Sequence, residues 1–327
     1  MIICFPHPPG SGGPGVFQRN FESFLESKGY KICYKVNNIQ PDLIFVVGGT
    51  RHILWLTKMK INRIPIIYRL DGIPWIHRHK WVGFKKYLCI ELGILAMKII
   101  HAFIADYIIF QSEFVRKWWF YMGWRKREKY SVIYNGVSLP TLSVNGSFLK
   151  RLVVLEGNID YSPYAIKLLN DLVNLLPADI CVHIYGNFEN KNNINLLDER
   201  IKYHGFINHS NIFEVLSGSI YLSLDINPAC PNAVLEAMAC GAPVVAFDTG
   251  SLIEIVTPSS GIIVPYGSNP WELNYPDVKS LANAVLKIRE NYEYYSKNAR
   301  ESIKRQFTLE KMVNQYIRII EGIISNK

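Results

Sequence analysis

The segment Pro231-Asn-Ala-Val-Leu-Glu236-Ala-Met-Ala-Cys-Gly241-Ala-Pro-Val-Val-Ala246 combines the features of an anion-binding helix. Pro231 suits a first helical turn, because the N–H it lacks would find no partner there. Gly241 suits the residue after a helix end, and Pro243 prevents continuation. The spacing therefore predicts a helix of about two and a half turns, at ~3.6 residues per turn, leading into a strand at Val244–Phe247. Its N-terminus would offer free N–H groups to an anion such as a diphosphate. Glu236, in the second turn, is an acceptor-only carboxylate that could take hydrogen bonds from a ribose diol. A short buried helix with Glu236 as a surface residue is the alternative reading.

Three other stretches could carry chemistry. Pro9-Gly10-Ser-Gly12-Gly13-Pro14-Gly15 lies between a strand and a helix, where glycines let a phosphate approach the backbone. It matches neither G-x-G-x-x-G nor a P-loop, and a plain turn explains it equally well. Tyr68-Arg69-Leu70-Asp71-Gly72 sits at a strand end: Asp71 could orient a hydroxyl and Arg69 could hold a phosphate, or Asp71 could simply cap an Asp-Gly turn. Glu156-Gly157-Asn158-Ile-Asp160-Tyr-Ser162-Pro163 reads as a strand end leading to a helix capped by Ser162, with Gly157 and Asn158 approaching a ligand by backbone. Ser251-x-x-Glu254 has capping-box spacing. His7 and His77 are read as incidental.

These residues require positioning elements, and the chain supplies them. Short apolar runs alternate with helical patterns. Strands are expected at 2–5, 31–34, 43–47, 66–69, 107–111 and 131–134, then, after turn-rich residues 135–150, at 152–155, 181–185, 203–204, 220–224, 244–247 and 261–264. Such alternation implies two parallel sheets with right-handed crossovers, an α/β architecture of two Rossmann-like domains. The expected boundaries are 1–148 and 149–307, with an amphipathic helix at 308–327 packing back across the joint. Open parallel sheets bind ligands at the carboxyl ends of their strands.

Composition narrows the class. The chain has 327 residues, 49% of them hydrophobic, and a net charge of +9, which excludes a disordered protein. Residues 1–150 hold 21 Lys and Arg against 8 Asp and Glu, whereas the remainder holds 15 against 19. The positive excess gathers in 75–86 and 116–129, where cations mix with Trp and Tyr. That mixture suits an anionic membrane surface better than nucleic acid, although a solvated charged face with Trp118 and Trp119 packed inside is also open. The apolar stretch 88–105 reads as too short and too charged to span a bilayer. Six scattered cysteines indicate neither a disulfide frame nor a metal site, and a reduced, cytoplasmic location is expected, at the inner face of the cell membrane if the surface reading holds.

Taken in order, Pro231–Val245, Tyr185-Gly186, His204-Gly205-Phe206, Thr249–Glu254, Ser260–Val264, Gln111-Ser112-Glu113 and Val132–Val137 resemble glycosyltransferase family 4. The resemblance implies a GT-B fold, with two domains facing a central cleft, and retaining transfer of a hexosyl group from a nucleoside-diphosphate sugar to a glycan or lipid-linked acceptor. The nucleotide sugar is a co-substrate, and no further cofactor or metal is implied. Glu236 would hold the donor ribose. Pro231, Asn232, Ala233 and Val234 would form the phosphate turn, with Gly12, Gly13, Gly157 and Asn158 also touching the donor. Asp71 and Arg69 would serve the reacting groups. Two departures stand out: Pro228 replaces a second glutamate, and no Arg or Lys clamp follows the strand ending near Asn158.

Overall fold

The computed structural model describes all residues except 11, 38, 124–128, 141–146, 209–210 and 326–327. The chain forms two compact units, Met1–Asn135 with Glu310–Lys327, and Gly136–Leu309.

The first unit runs β1 (Ile2–Phe5), α1 (Gly12–Ser27), β2 (Lys31–Tyr34), β3 (Leu43–Val47), α2 (Ile53–Ile61), β4 (Ile66–Leu70), α3 (Phe84–Ile99), β5 (Tyr107–Phe110), α4 (Glu113–Tyr121) and β6 (Tyr130–Val132). Its six strands are all parallel in the order β2-β1-β3-β4-β5-β6. Strands β3 and β4 are buried along their whole length, as their uninterrupted apolar runs require of a sheet covered on both faces. Phe17, Phe21 and Leu25 recur at helical spacing on α1 and pack inward.

The second unit runs β7 (Arg151–Asn158), α5 (Ala165–Leu175), β8 (Cys181–Asn187), β9 (Ile201–Tyr203), α6 (Ile212–Leu216), β10 (Ile220–Leu222), α7 (Asn232–Ala239), β11 (Val244–Phe247), α8 (Leu252–Ile255), β12 (Gly261–Val264), α9 (Val278–Glu290) and α10 (Tyr292–Gln306). Its parallel order is β12-β11-β10-β7-β8-β9. Alternate residues Leu152 and Val154, Ile220 and Leu222, and Val245 and Phe247 share one core with α5 and α9. In each sheet the winding direction reverses once, at β1/β3 and at β7/β10, and the carboxyl ends of those strands are where ligands bind in open α/β sheets.

The last helix, α11 (Leu309–Ser325), belongs to the first unit apart from its first residue. Its Tyr316 is fully buried, with ring centroids 5.5, 5.0 and 5.7 Å from Phe17, Phe21 and Phe45. The break between units falls at Asn135–Gly136, thirteen residues before the expected boundary. Val137 already pairs with the end of the second unit, donating to the Phe307 carbonyl (2.9 Å) and accepting from the Leu309 N–H (3.0 Å).

Two capping expectations are corrected. Helix α5 starts at Ala165 with Tyr164 as its N-cap, because a 3₁₀ turn at Ile159–Tyr161 intervenes. Asp160 fixes that turn by accepting from the backbone N–H groups of Glu189 (2.8 Å) and Asn190 (3.0 Å). Ser251 makes no side-chain cap, since α8 has only four residues; the Glu254 N–H bonds the Ser251 carbonyl instead (3.0 Å).

Candidate functional site

In the second unit, α7 starts one residue later than its sequence suggests. Pro231 is the N-cap, extended at ψ 117°, and the helix has eight residues. Its C-terminus is a Schellman motif: Gly241 adopts φ 73°, its N–H bonds the Met238 carbonyl (3.0 Å), and the Ala242 N–H bonds Ala237 (2.9 Å). Val234, Leu235 and Ala237–Ala239 are buried, whereas Pro231, Asn232, Ala233 and Glu236 remain half-exposed. Burial of one face thus anchors the helix while its first turn and Glu236 stay accessible.

The residues leading into α7 are tightly held. Asn227 has φ 56°, a conformation uncommon outside glycine. Gly250, at φ 60°, packs so closely on Pro228 that a Cβ there would lie 2.4 Å from the Pro228 nitrogen, and the Ser251 N–H donates to the Pro228 carbonyl (2.9 Å). Pro228, standing where the resemblance expects a glutamate, is therefore a packing residue. Around this turn lie polar atoms that are buried yet lack a hydrogen-bond partner: Asn158 Oδ1 on β7, Ser223 Oγ and Asn227 Nδ2 after β10, and Thr249 Oγ1 and Ser251 Oγ after β11. Buried polar groups are normally satisfied. Their concentration at the carboxyl ends of three neighbouring strands marks an edge prepared for a polar ligand. Gly157 is exposed on the same edge, with open space where a side chain would stand.

An acidic pair occupies the winding reversal. Glu156 accepts the Leu224 N–H (3.2 Å), and burial together with the Asp225 charge pushes its carboxyl up to about 8. Burial also raises Asp225, to about 6. Tyr221, fully enclosed, donates to the Leu155 carbonyl (3.0 Å) and is raised well above the usual phenol range by burial and then by Glu156, Asp225 and Glu236. The sequence pattern did not point to this pair, because Glu156 and Asp225 are far apart in the chain; only the parallel pairing of Ile220 with Leu152 and Tyr221 with Val153 brings their strand ends together.

In the first unit, Arg69 is 1% exposed. Its Nη1 donates to Asp71 Oδ1 (2.7 Å), its Nη2 to Asn135 Oδ1 (2.6 Å), and its guanidinium lies 3.7 Å from the Phe17 ring centroid. Gln111 Nε2 also donates to Asp71 Oδ1, and Asn135 Nδ2 donates to Gln111 Oε1 (3.3 Å). The Trp119 indole N–H donates to the Asp71 carbonyl (3.1 Å). Arg69 thus engages Asp71 and Asn135, with its Nε left without a partner. Burial raises the Asp71 carboxyl, partly offset by Arg69. Gly12 and Gly13 form the exposed first turn of α1, which begins four residues before the expected start because Pro14 is accommodated in that turn. His7 Nδ1 meets the Pro8 carbonyl (3.0 Å), and the buried His77 pairs with Glu91 (2.8 Å).

The expected basic, aromatic face is reshaped. Trp118 and Trp119 are interior, and residues 124–128 lie outside the described residues. Helix α3 continues through a π turn, so that Phe84–Ile104 spans 21 residues at mean hydropathy 1.8 with 28% of its hydrophobic window buried. It is long and apolar enough to cross a membrane, which corrects the reading of this stretch as too short. Phe84, Leu88, Leu92 and Leu95 are exposed along one side, with Trp81 exposed before the helix and Phe103 exposed on its π turn. Ile94, Met97, Ile100 and Ile104 pack inward.

Two parallel six-stranded sheets, the second carrying an accessible helix N-terminus at its carboxyl edge, fit the GT-B fold. Residues 150–291 match the family model described as Glycosyl transferases group 1. The N-acetyl-alpha-D-glucosaminyl L-malate synthase of Bacillus anthracis is 26% identical over 132 residues, which are 39% of this chain and 32% of that enzyme. Among solved structures, sucrose-phosphate synthase from Thermosynechococcus elongatus superposes with TM-score 0.74 at 16% identity, covering 100% of this chain and 99% of the other. Anabaena HepE in complex with UDP-glucose gives 0.71 at 18% identity, covering 98% and 99%.

Proposed function

We propose that this protein transfers a hexosyl group, with retention, from a nucleoside-diphosphate sugar to a glycan or lipid-linked acceptor. The observation that carries the reading is the carboxyl edge of the second unit, where unsatisfied buried polar atoms surround the accessible first turn of α7. The N–H groups of Asn232, Ala233 and Val234 suit the diphosphate, both as ground-state ligands and as stabilisers of the charge that develops on the leaving group. Glu236 suits the ribose diol, and Gly157 and Asn158 line the approach. Asp71, oriented by Arg69 and Gln111, keeps Oδ2 for a sugar or acceptor hydroxyl, while Gly12 and Gly13 present an open turn to the donor. Anabaena HepE, whose structure contains UDP-glucose, supports a uridine nucleotide as the first donor to try. Retention follows from the family resemblance, by departure and attack on one face of the sugar.

The test is a panel of UDP-, GDP- and ADP-sugars, read by calorimetry and by donor hydrolysis. Binding of one nucleotide series, lost in Glu236→Ala, is expected. No binding of any member defeats the proposal.

A second reading has its own observation. Glu156 and Asp225 are a poor replacement for a basic clamp, which suits a chain that binds a nucleotide sugar without turning it over. Measurable hydrolysis or transfer excludes it. For the location we propose a cytoplasmic protein resting on an anionic membrane through α3: its apolar side and the neighbouring Lys85 and Lys86 are the components of an interfacial helix. Flotation with anionic but not zwitterionic vesicles tests this placement.

A further inference from the structure

A cavity of about 730 Å³ opens at the opposite edge of the first unit's sheet, away from Asp71. Its wall is formed by residues that precede strands: Pro65 before β4, Asp106 before β5 and Lys129 before β6. Because the strands are parallel, this is the amino edge, and the nucleotide-binding features described above play no part in it.

The charge in this cavity is one-sided. Lys60, Arg63, Lys129 and Arg318 line it, and Asp106 is the lining carboxylate. Asp106 is already engaged, pairing with Lys60 and accepting the Ile66 N–H (2.9 Å). Arg63, Lys129 and Arg318 have no side-chain partner among the described residues. Arg63 is held toward the cavity by a turn in which it adopts φ 58°, a left-handed conformation unusual for arginine. Three separate elements, the turn after α2, the residue before β6 and helix α11, thus bring unpaired cations to one concavity. Like charges gathered in this way repel one another, and an anion bound among them relieves the repulsion.

The rest of the lining is apolar. Ile64 and Pro65 form one wall, Ile319 and Ile323 another. The volume lies within the roughly 300–1,000 Å³ typical of small-molecule sites and exceeds what a lone phosphate fills. The exposed Ile61 follows Lys60 directly, and the exposed Phe103 lies on the π turn that packs against α2.

We propose that this cavity is a binding site for a phosphate ester, separate from the nucleotide edge. Guanidinium groups such as Arg63 and Arg318 match phosphate oxygens in pairs, and the isoleucine walls accommodate the organic part of the ester. Two sources share this chemistry: the headgroup of an anionic lipid and a soluble phosphate ester. The apolar walls favour the lipid.

Binding to the full-length chain is measured by calorimetry with three probes: inorganic phosphate, glycerol 3-phosphate and dihexanoyl phosphatidic acid. The variant is Arg63→Gln/Arg318→Gln. Both positions are exposed, and circular dichroism checks that the fold is kept. Saturable binding of the phosphatidic acid is expected, at least tenfold weaker in the variant and unaffected by excess UDP. Tighter binding of the phosphatidic acid than of glycerol 3-phosphate supports the lipid source. Equal binding of the two supports the site and assigns the soluble source. Absence of saturable binding by all three probes, undiminished binding in the variant, or displacement by UDP overturns the proposal.

Discussion

At the carboxyl edge of the first sheet, Arg69, Asp71, Gln111 and Asn135 hydrogen-bond one another around Phe17 and Trp119. At the same edge of the second sheet, Ser223, Asn227, Thr249 and Ser251 keep buried polar atoms without partners, and Glu156 and Asp225 repel one another. Both sheets place polar residues where parallel strands end. One edge is bonded largely to itself, leaving Arg69 Nε without a partner, and orients a single carboxylate; the other leaves unpartnered polar atoms at three strand ends. Closure stabilises the unit, whereas incompleteness leaves hydrogen-bonding capacity for binding.

The largest expected effect breaks the closed edge. Arg69→Met leaves the half-buried Asp71 without its cation, a change that costs up to about 3–5 kcal/mol; chemical denaturation should show an early transition of the first unit. An unchanged denaturation midpoint would mean that the network is not holding this edge. Next, Glu236→Ala should weaken nucleotide binding at least tenfold, about 1.4 kcal/mol, in calorimetry, with little change in the melting temperature of the unliganded protein.

The acidic pair sharpens the comparison through pH. Burial raises both Glu156 and Asp225 above their unfolded values, and the Asp225 charge raises Glu156 further, so the protonated pair is favoured by folding. Its stability contribution is full below the ordinary carboxylate range, near ~4, and is lost as pH rises through about 6 and about 8. A diphosphate meets growing negative charge over the same interval. Donor affinity should therefore fall several-fold between pH 6 and 8.5, and Glu156→Gln should flatten both the affinity and the melting profiles. The smallest effect is expected at Thr249→Val. It removes an unsatisfied hydroxyl, so the unliganded stability should stay within about 1 kcal/mol, while the donor KM rises a few-fold.

Much of this was legible in the sequence. The strands of both units fall within a few residues of where uninterrupted apolar runs placed them, since a strand covered on both faces has little other composition open to it. The α7 turn was legible because Pro231, Gly241 and Pro243 punctuate it locally. Gln111 and Asn135 were visible as fragments of a resemblance, but their role was not: Gln111 meets Asp71, and Asn135 meets Arg69, only through the alignment of β4 and β5 and the turn after β6. Likewise, composition alone did not separate Trp118 and Trp119, which are interior, from Trp81, which is exposed. The apolar run in α3 showed its hydropathy without showing which side the fold leaves uncovered.

The return of α11 to the first unit has a consequence for biosynthesis. Tyr316 completes an aromatic cluster begun by Phe17, Phe21 and Phe45, so residues from opposite ends of the chain make one core. A ribosome releases the first unit's sheet well before that helix exists, at roughly 5–20 residues per second. The second unit, continuous in sequence, can close while the first still waits for its last wall. The unit that emerges first is thus the last to be finished.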